Sequence, residues 1–272
     1  MIYGKQTLTD LSEQVGGGIN PYLFTKQADS VKLSHNADVT DQYEQIVCYM
    51  LPHTSARRYW LEIVGTPAPW KWLNICPHST PGCRGACLVD SGRLGMAPAK
   101  RAMLARTALY SKSQEKFWSL VDHEIKLHNR RVRAKGKALV VRLDGTSQIN
   151  IEEQAPWILD RHPDVIFQDY LKGPYKTGWT RANRYVVSSG TERDTEVTIR
   201  NRGNVVFPVN VPKGKPLPPR FMGRLVTDGD KHDLRFLDPQ RSRAVLVTLT
   251  LTASFVRYPK SSASCGTTQP KE

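Results

Sequence analysis

Short apolar runs alternate with helix-forming segments over the second half of the chain. Residues 151–160 and 192–201 suit short helices. Six apolar runs have the length and the β-branched content of strands, at 138–143, 165–167, 185–187, 204–209, 224–227 and 244–252. Near-continuous apolar strands that alternate with helices are typical of a parallel sheet with covering helices. The pattern therefore predicts the α/β fold class.

The first 75 residues are patterned differently. Residues 1–40 are polar and include three consecutive glycines, which predicts an irregular N-terminal arm. Apolar runs at 44–51 and 58–64 predict two strands that form a hairpin. The alternating aromatic run at 70–75 predicts a further strand whose end presents Cys76.

Two helices are predicted next, over 98–109 and 112–132, where strong helix formers and one apolar face prevail. We expect an N-terminal β-rich arm with strands at 1–66, a main α/β domain at 67–258 and a disordered tail at 259–272. The main domain either closes into a partial (β/α) barrel or stays open as a doubly wound sheet, and we favour the barrel. In both architectures, reactive groups collect at the carboxyl ends of the strands.

Charge and hydropathy indicate where the protein is located and which partners it binds. There are 39 Lys and Arg against 25 Asp and Glu, a net charge of +14, which makes salt-sensitive contact with nucleic acid or a nucleotide plausible. The basic run at 126–137 is either a phosphate-contact patch or a solvated helix end. Neither a signal-peptide pattern nor an apolar stretch of about 20 residues is present, so we expect a cytoplasmic protein without a membrane partner.

Five cysteines are present, and three of them lie within twelve residues. An odd number with this clustering is a poor disulfide framework, whereas clustered thiols in a reducing compartment favour a metal or redox site. Cys76, Cys83 and Cys87 have the spacing C-x6-C-x3-C. Cys48 lies in an apolar run and is interpreted as a buried small hydrophobe.

The identity of the metal stays open between iron and zinc. Three thiolates can bind three irons of a [4Fe–4S] cluster and leave the fourth iron open to a small molecule. Alternatively, His78 adds a fourth donor and gives a tetrahedral Cys3His zinc site. Three unligated thiols are the remaining interpretation.

The cysteine loop and several later segments resemble the gene product 88 family of phage and actinobacterial proteins. The resemblance is carried by the segments at 76–88, 92–93, 99–107, 141–147, 167–170, 185–188, 204–207 and 227–236. The layout is also similar to that of radical S-adenosylmethionine enzymes, in which a strand, a three-cysteine loop and a helix precede repeated strand–helix units. The usual spacing of those enzymes is C-x3-C-x2-C, and this chain lacks both that spacing and an obvious glycine-rich cofactor motif.

Polar groups that follow the predicted strands are the candidates for chemistry at the mouth of the domain. The predicted catalytic residues are Asp144, Asp169 and Glu192, and the predicted cofactor-binding residues are Thr146, Ser147 and Ser188. The alternative for the segment at 142–147, which contains Asp144, Thr146 and Ser147, is an ordinary Asp-Gly turn. The acidic turn at 228–233 is interpreted as a hairpin turn or, less favourably, as a metal-dependent nuclease site.

Together, these observations predict a phage-associated iron–sulfur protein in the host cytoplasm. The similar layout implies a radical S-adenosylmethionine-like enzyme, with a [4Fe–4S] cluster and S-adenosylmethionine as cofactors. The basic charge suggests a nucleotide or nucleic acid as its substrate. The alternative is a non-catalytic nucleic-acid-binding protein with a structural zinc.

Overall fold

A ten-stranded sheet organises the chain in a computed structural model, which describes residues 4–18, 21–85, 87–209, 211, 215–240 and 243–248. The strands are β1 (Phe24–Lys26), β2 (Tyr43–Cys48), β3 (Ala138–Arg142), β4 (Ile166–Leu171), β5 (Gly178–Arg181), β6 (Arg184–Ser189), β7 (Val205–Val209), β8 (Arg220–Phe221), β9 (Arg224–Asp228) and β10 (Ala244–Thr248). Their order is β1-β2-β3-β4-β6-β7-β10-β9-β8, with β5 paired to β6 off this path.

Seven strands, from β2 to β9 along this order, run parallel to their neighbours. β1, β5 and β8 are antiparallel additions to β2, β6 and β9. The predicted α/β fold with parallel strands is therefore confirmed. Within the described residues no pairing joins β1 to β8, so the sheet is an open path, and the barrel closure that we favoured is not seen.

Ten α-helices connect or cover the described strands. They are α1 (Lys5–Gln14), α2 (Val31–Ser34), α3 (Asn36–Val39), α4 (His53–Val64), α5 (Pro81–Gly85), α6 (Ala97–Lys112), α7 (Gln114–Arg133), α8 (Ile151–Gln154), α9 (Pro156–Arg161) and α10 (Glu196–Ile199). Pro98 occupies the first turn of α6, where its missing N–H costs nothing, and the Ser113 hydroxyl accepts from Lys116 N at 3.3 Å at the start of α7. The two long helices lie where the sequence predicted them.

The first 66 residues depart from the predictions in two places. The segment at 58–64, predicted as a strand, belongs to helix α4, whose buried residues Ala56 and Trp60 are four apart. Residues four apart lie one helical turn from each other, so a helix buries both side chains on one face. This burial decides the structure over the short apolar run that predicted a strand. Residues 5–14, predicted as part of an irregular arm, form α1, which buries Leu8 and Leu11 in the core.

The aromatic run at 70–75 is irregular rather than a strand. Trp60, Trp70 and Trp72 instead pack edge to face, with ring centroids 4.9 Å apart for the first pair and 5.8 Å for the last two. Aromatic pairs prefer this geometry, so the alternation of large residues reflects tryptophan packing rather than a pleated strand. The stack lies immediately before the cysteine loop.

The two faces of the sheet differ in chemistry. The outer face, which carries Cys48, Val141 and Phe167, joins the long helices in one apolar core. The inner face carries Gln45, Arg142, Gln168 and Tyr170. The pairing registers of β2, β3, β4 and β6 place these four side chains on the same face. Near-continuous apolar runs predicted burial on both faces, and both are buried. The inner face is polar at β2, β3 and β4, whereas β6, β7 and β10 contribute the buried apolar side chains Val187, Val206 and Val245.

A turn at Arg235–Leu237 covers the amino end of the inner face. Phe236 lies edge-on to Tyr43 at 5.2 Å between ring centroids and also packs near Trp179 and Tyr185. This aromatic packing leaves the carboxyl end of the inner face as the place where a ligand can enter.

Candidate functional site

A cavity of about 180 Å³ lies at the carboxyl ends of the parallel strands. This is the edge at which α/β proteins gather their reactive groups. The lining residues that matter for chemistry are Cys76, Cys83, Cys87, Arg142, Asp144, Thr146, Ser147, Gln148, Tyr170, Lys172, Ser189 and Asp233. The cavity therefore combines the cysteine loop with strand-end residues from β3, β4 and β6.

All three clustered cysteines line this cavity, although they lie before, within and after the short helix α5. Cys76 Sγ is 3.8 Å from Thr146 O. Burial, with a smaller contribution from the neighbouring Cys87 and Cys83, raises the pKa of Cys76 to about 12. Burial also raises the pKa of Cys87. The thiols of Cys76 and Cys87 are therefore protonated at neutral pH unless a bound cation stabilises the thiolates.

The arrangement of donors bears on the kind of metal site. Among the described residues, no three His, Cys, Asp or Glu side chains are placed to hold one metal ion together. A zinc site needs its donors to converge, because each Zn–S bond is roughly 2.3 Å long. An iron–sulfur cluster binds each thiolate to a different iron, so its cysteines need to line one cavity rather than converge on one ion.

His78, the fourth zinc donor in the Cys3His alternative, is engaged elsewhere. Its Nε2 is 3.2 Å from Tyr175 Oη, and the two rings meet edge-on with centroids 5.8 Å apart. His78 is not among the residues that line the cavity. The described structure therefore does not assemble the Cys3His set.

Glu192 anchors the cysteine loop from outside the cavity lining. Thr80 Oγ1 donates to its Oε2 at 2.6 Å, and Gly82 N donates to its Oε1 at 2.9 Å. Cys83 N in turn donates to Thr80 Oγ1 at 3.1 Å. Burial raises the pKa of Glu192, but these hydrogen bonds lower it, and the net effect is a pKa below the ordinary value of a glutamate. A Cβ on Gly82 would lie 2.6 Å from the Glu192 carboxyl carbon, so the clamp requires glycine.

A buried ionic network forms the floor of the cavity. Arg142 Nε is 3.1 Å from Asp144 Oδ1, and its Nη1 is 3.1 Å from Asp233 Oδ2. The guanidinium carbon lies 3.9 Å from the centre of the Tyr170 ring, and Tyr170 Oη donates to Asp233 Oδ1 at 3.0 Å. Burial raises the pKa of Asp144, and the charge of Arg142 opposes this shift.

The structure separates the predicted residues into two groups. Asp144, Thr146 and Ser147 line the cavity, whereas Asp169 and Ser188 lie on the outer face of the sheet. Thr146 Oγ1 also donates to Met50 O at 2.7 Å and accepts from Met50 N at 2.9 Å, which ties β3 to the end of β2.

Asp169 and Ser188 have structural partners on the outer face. Asp169 Oδ2 is 2.8 Å from Arg184 Nε in a fully buried ion pair. Ser188 Oγ accepts from Arg202 Nη1 at 3.4 Å. Because side chains alternate along a strand, it is the next residue in each case, Tyr170 or Ser189, that faces the cavity.

Sequence reasoning missed two lining residues, Gln148 and Lys172. Each follows or ends a parallel strand, and strand-end position was the signal that could have found them. Lys172 Nζ donates to Ser189 Oγ at 3.0 Å. Lys172 also lowers the pKa of Cys76 and Cys87, opposing the larger effect of burial.

Two other predicted regions are occupied by intramolecular contacts. In the basic run, Lys135 Nζ is 2.7 Å from Glu44 Oε2, and Lys137 is paired with Asp41. In the acidic turn at 228–233, the carboxylate of Asp233 belongs to the buried network described above. Neither region presents all of its charges to a ligand.

Comparisons with known proteins agree with the family resemblance. No helix in the described part of the chain is both long enough and apolar enough to cross a membrane. No curated protein and no solved structure matches the chain. The family model described as Gene product 88 matches residues 25–270. Since this match covers most of the chain, the protein belongs to the Gene product 88 family.

Proposed function

We propose that this protein is an iron–sulfur enzyme, similar in layout to radical S-adenosylmethionine enzymes, whose cluster is held by Cys76, Cys83 and Cys87. The observation that carries the proposal is that all three thiols line one cavity at the carboxyl edge of a parallel sheet. Three ligands leave one iron of a [4Fe–4S] cluster open, and S-adenosylmethionine is the small molecule that we propose for it. When bound, such a cluster supplies one-electron chemistry.

The residues around the cysteines support this assignment. The three cysteines are partly buried, and Lys172 supplies a positive charge that offsets part of the negative charge of the thiolates. Glu192 holds the loop around Cys83 through Thr80 and Gly82. The chain itself therefore balances charge and orients the ligand loop.

No observation specifically favours the alternative of a non-catalytic, zinc-containing nucleic-acid-binding protein. His78 packs against Tyr175, and two lysines of the basic run are ion-paired. The same pairing weakens the support for a nucleotide or nucleic-acid substrate, which rested on net charge.

The proposal is tested by iron and acid-labile sulfide analysis, with an absorption spectrum, on anaerobically purified protein. We expect about four irons and four sulfides per chain. The Cys76→Ala, Cys83→Ala, Cys87→Ala triple variant should lose both, whereas Cys48→Ala, which changes a buried cysteine outside the cavity, should keep both.

The outcomes separate the proposal from its alternative. One zinc without sulfide would refute the cluster and return the structural-zinc interpretation to first place. A cluster that forms but never cleaves S-adenosylmethionine under reducing conditions would keep the iron–sulfur protein and refute the radical enzyme.

A further inference from the structure

A side-chain amide without a partner lies at the cavity beside the cysteine loop. Gln148 is 8% exposed and lines the cavity, and neither its Oε1 nor its Nε2 has a hydrogen-bond partner among the described residues. Its backbone N–H donates to Ile75 O at 2.7 Å, so the residue is fixed next to Cys76. Burying an amide without hydrogen bonds lowers stability. An unpartnered amide at a cavity wall therefore points to a ligand that supplies the missing hydrogen bonds.

Lys172 provides a second recognition group. It donates to Ser189 and, within the described residues, makes no ion pair with a carboxylate. The other cation of the described lining, Arg142, is held between Asp144 and Asp233. An anionic group that enters the cavity therefore meets the charge of Lys172 and the hydroxyl of Ser189.

Size and the remaining wall restrict the ligand further. Val206, Pro208 and Val247 form an apolar part of the lining. A volume of about 180 Å³ is close to the roughly 150 Å³ of a cavity that holds benzene, and it is smaller than the roughly 300 Å³ at which drug-sized pockets begin. The enclosed volume therefore accommodates a ligand group of amino-acid size, and a longer ligand such as a nucleotide would extend beyond it.

We propose that the cavity binds a small organic carboxylate that also carries an amide. The carboxylate lies on Lys172 and Ser189, the amide pairs with Gln148, and the carbon chain contacts the apolar wall. This inference names a substrate class for the enzyme proposed above and rests on that proposal for its chemistry. The binding groups themselves are independent of the cluster.

The first test asks whether the Gln148 amide is unsatisfied in the ligand-free protein. Gln148→Leu should leave the melting temperature unchanged or raise it, because an unpaired buried amide is replaced by an apolar group. Gln168→Leu is the matched control, since Gln168 is fully buried with its amide donating to Asp233 O at 2.7 Å and accepting from Arg235 N at 2.6 Å. It should lower the melting temperature. An equal loss in both variants would overturn the inference.

The second test measures binding of L-glutamine, L-asparagine and succinamate to the full-length, anaerobically purified protein by ligand-observed NMR and titration calorimetry. We expect at least one probe to bind, and Gln148→Leu and Lys172→Met each to weaken it about 10-fold or more. Lys176→Met, a change at an exposed residue outside the cavity lining, should leave the affinity unchanged.

Other outcomes overturn the inference in identifiable ways. The proposed site is refuted if no probe binds, or if Gln148→Leu and Lys172→Met bind the probes as tightly as the native protein does. If S-adenosylmethionine or adenosine monophosphate binds through both residues while the amide carboxylates do not, the site belongs to a nucleotide-containing ligand. The same titration on the triple cysteine variant separates the two proposals: probe binding to this iron-free variant would show that the binding site does not depend on the cluster, whereas the absence of iron and sulfide from the native protein would refute the cluster alone.

Discussion

Replacing Arg142 by methionine tests the buried ionic network on the floor of the cavity. Arg142 is 13% exposed and pairs with Asp144 and Asp233, which are 0% and 5% exposed. Methionine keeps much of the length of the side chain but leaves both carboxylates without their cation. Breaking a buried ion pair from one side costs about 3–5 kcal/mol. For a chain of this size, that loss corresponds to a fall in melting temperature of about 10 °C.

The pH dependence identifies the cause of this loss. Burial already raises the pKa of Asp144, and without Arg142 the pKa rises further above its unfolded value. A group with a raised folded-state pKa binds its proton more tightly in the folded protein, so the variant regains stability as the pH falls through that pKa. We therefore expect the deficit of Arg142→Met, measured by urea unfolding, to be larger at pH 8 than at pH 5.

The control is Arg133→Met, which removes an ion pair to Asp164 in which the arginine side chain is 65% exposed. Exposed pairs contribute about 0–1 kcal/mol, so this variant should unfold close to the native protein at both pH values. A deficit for Arg142→Met below about 1 kcal/mol, or one that is the same at pH 8 and pH 5, would refute the reasoning.

Three further predictions concern the loop clamp, a packing contact and a buried histidine. Glu192→Ala should lower the iron content of anaerobically purified protein several-fold with little change in melting temperature, because it releases the cysteine loop; undiminished iron content would contradict the clamp. Gly190→Ala should cost about 1–3 kcal/mol in urea unfolding, since its Cβ would lie 2.2 Å from the Phe207 ring, whereas Gly85→Ala has open space and serves as the control. Burial lowers the pKa of His128 to about 4, below the roughly 6.5 of an unfolded histidine, so stability should fall as the pH drops from 6.5 towards 4. His128→Phe should flatten that part of the pH profile, and an unchanged slope would count against the shift.

The sequence by itself determined the fold class and most of the regular elements after residue 97. Runs such as 138–143 and 204–209 are apolar along their length, and α6 and α7 consist of strong helix formers, so local composition and long-range packing favour the same structure. The cysteine spacing likewise identified a candidate site before its neighbours were known. In these places a short window of sequence contains the information that matters.

The N-terminal half shows where local pattern misleads. Residues 58–64 have the composition of a strand, but Trp60 packs against Trp70 and Trp72, and the segment is helical. Tertiary contacts override a weak local preference because burying large aromatic groups contributes more stability than propensity does.

Only the tertiary structure decided which side chains meet in the cavity. Strand ends were foreseen, but a difference of one residue places Tyr170 and Ser189 inside and leaves Asp169 and Ser188 on the outer face. Contacts such as that of Gln45 with Asp233 join residues 188 positions apart. Which face a residue takes depends on strand register, and which distant groups meet depends on how the whole sheet packs. Neither is determined by a local stretch of sequence.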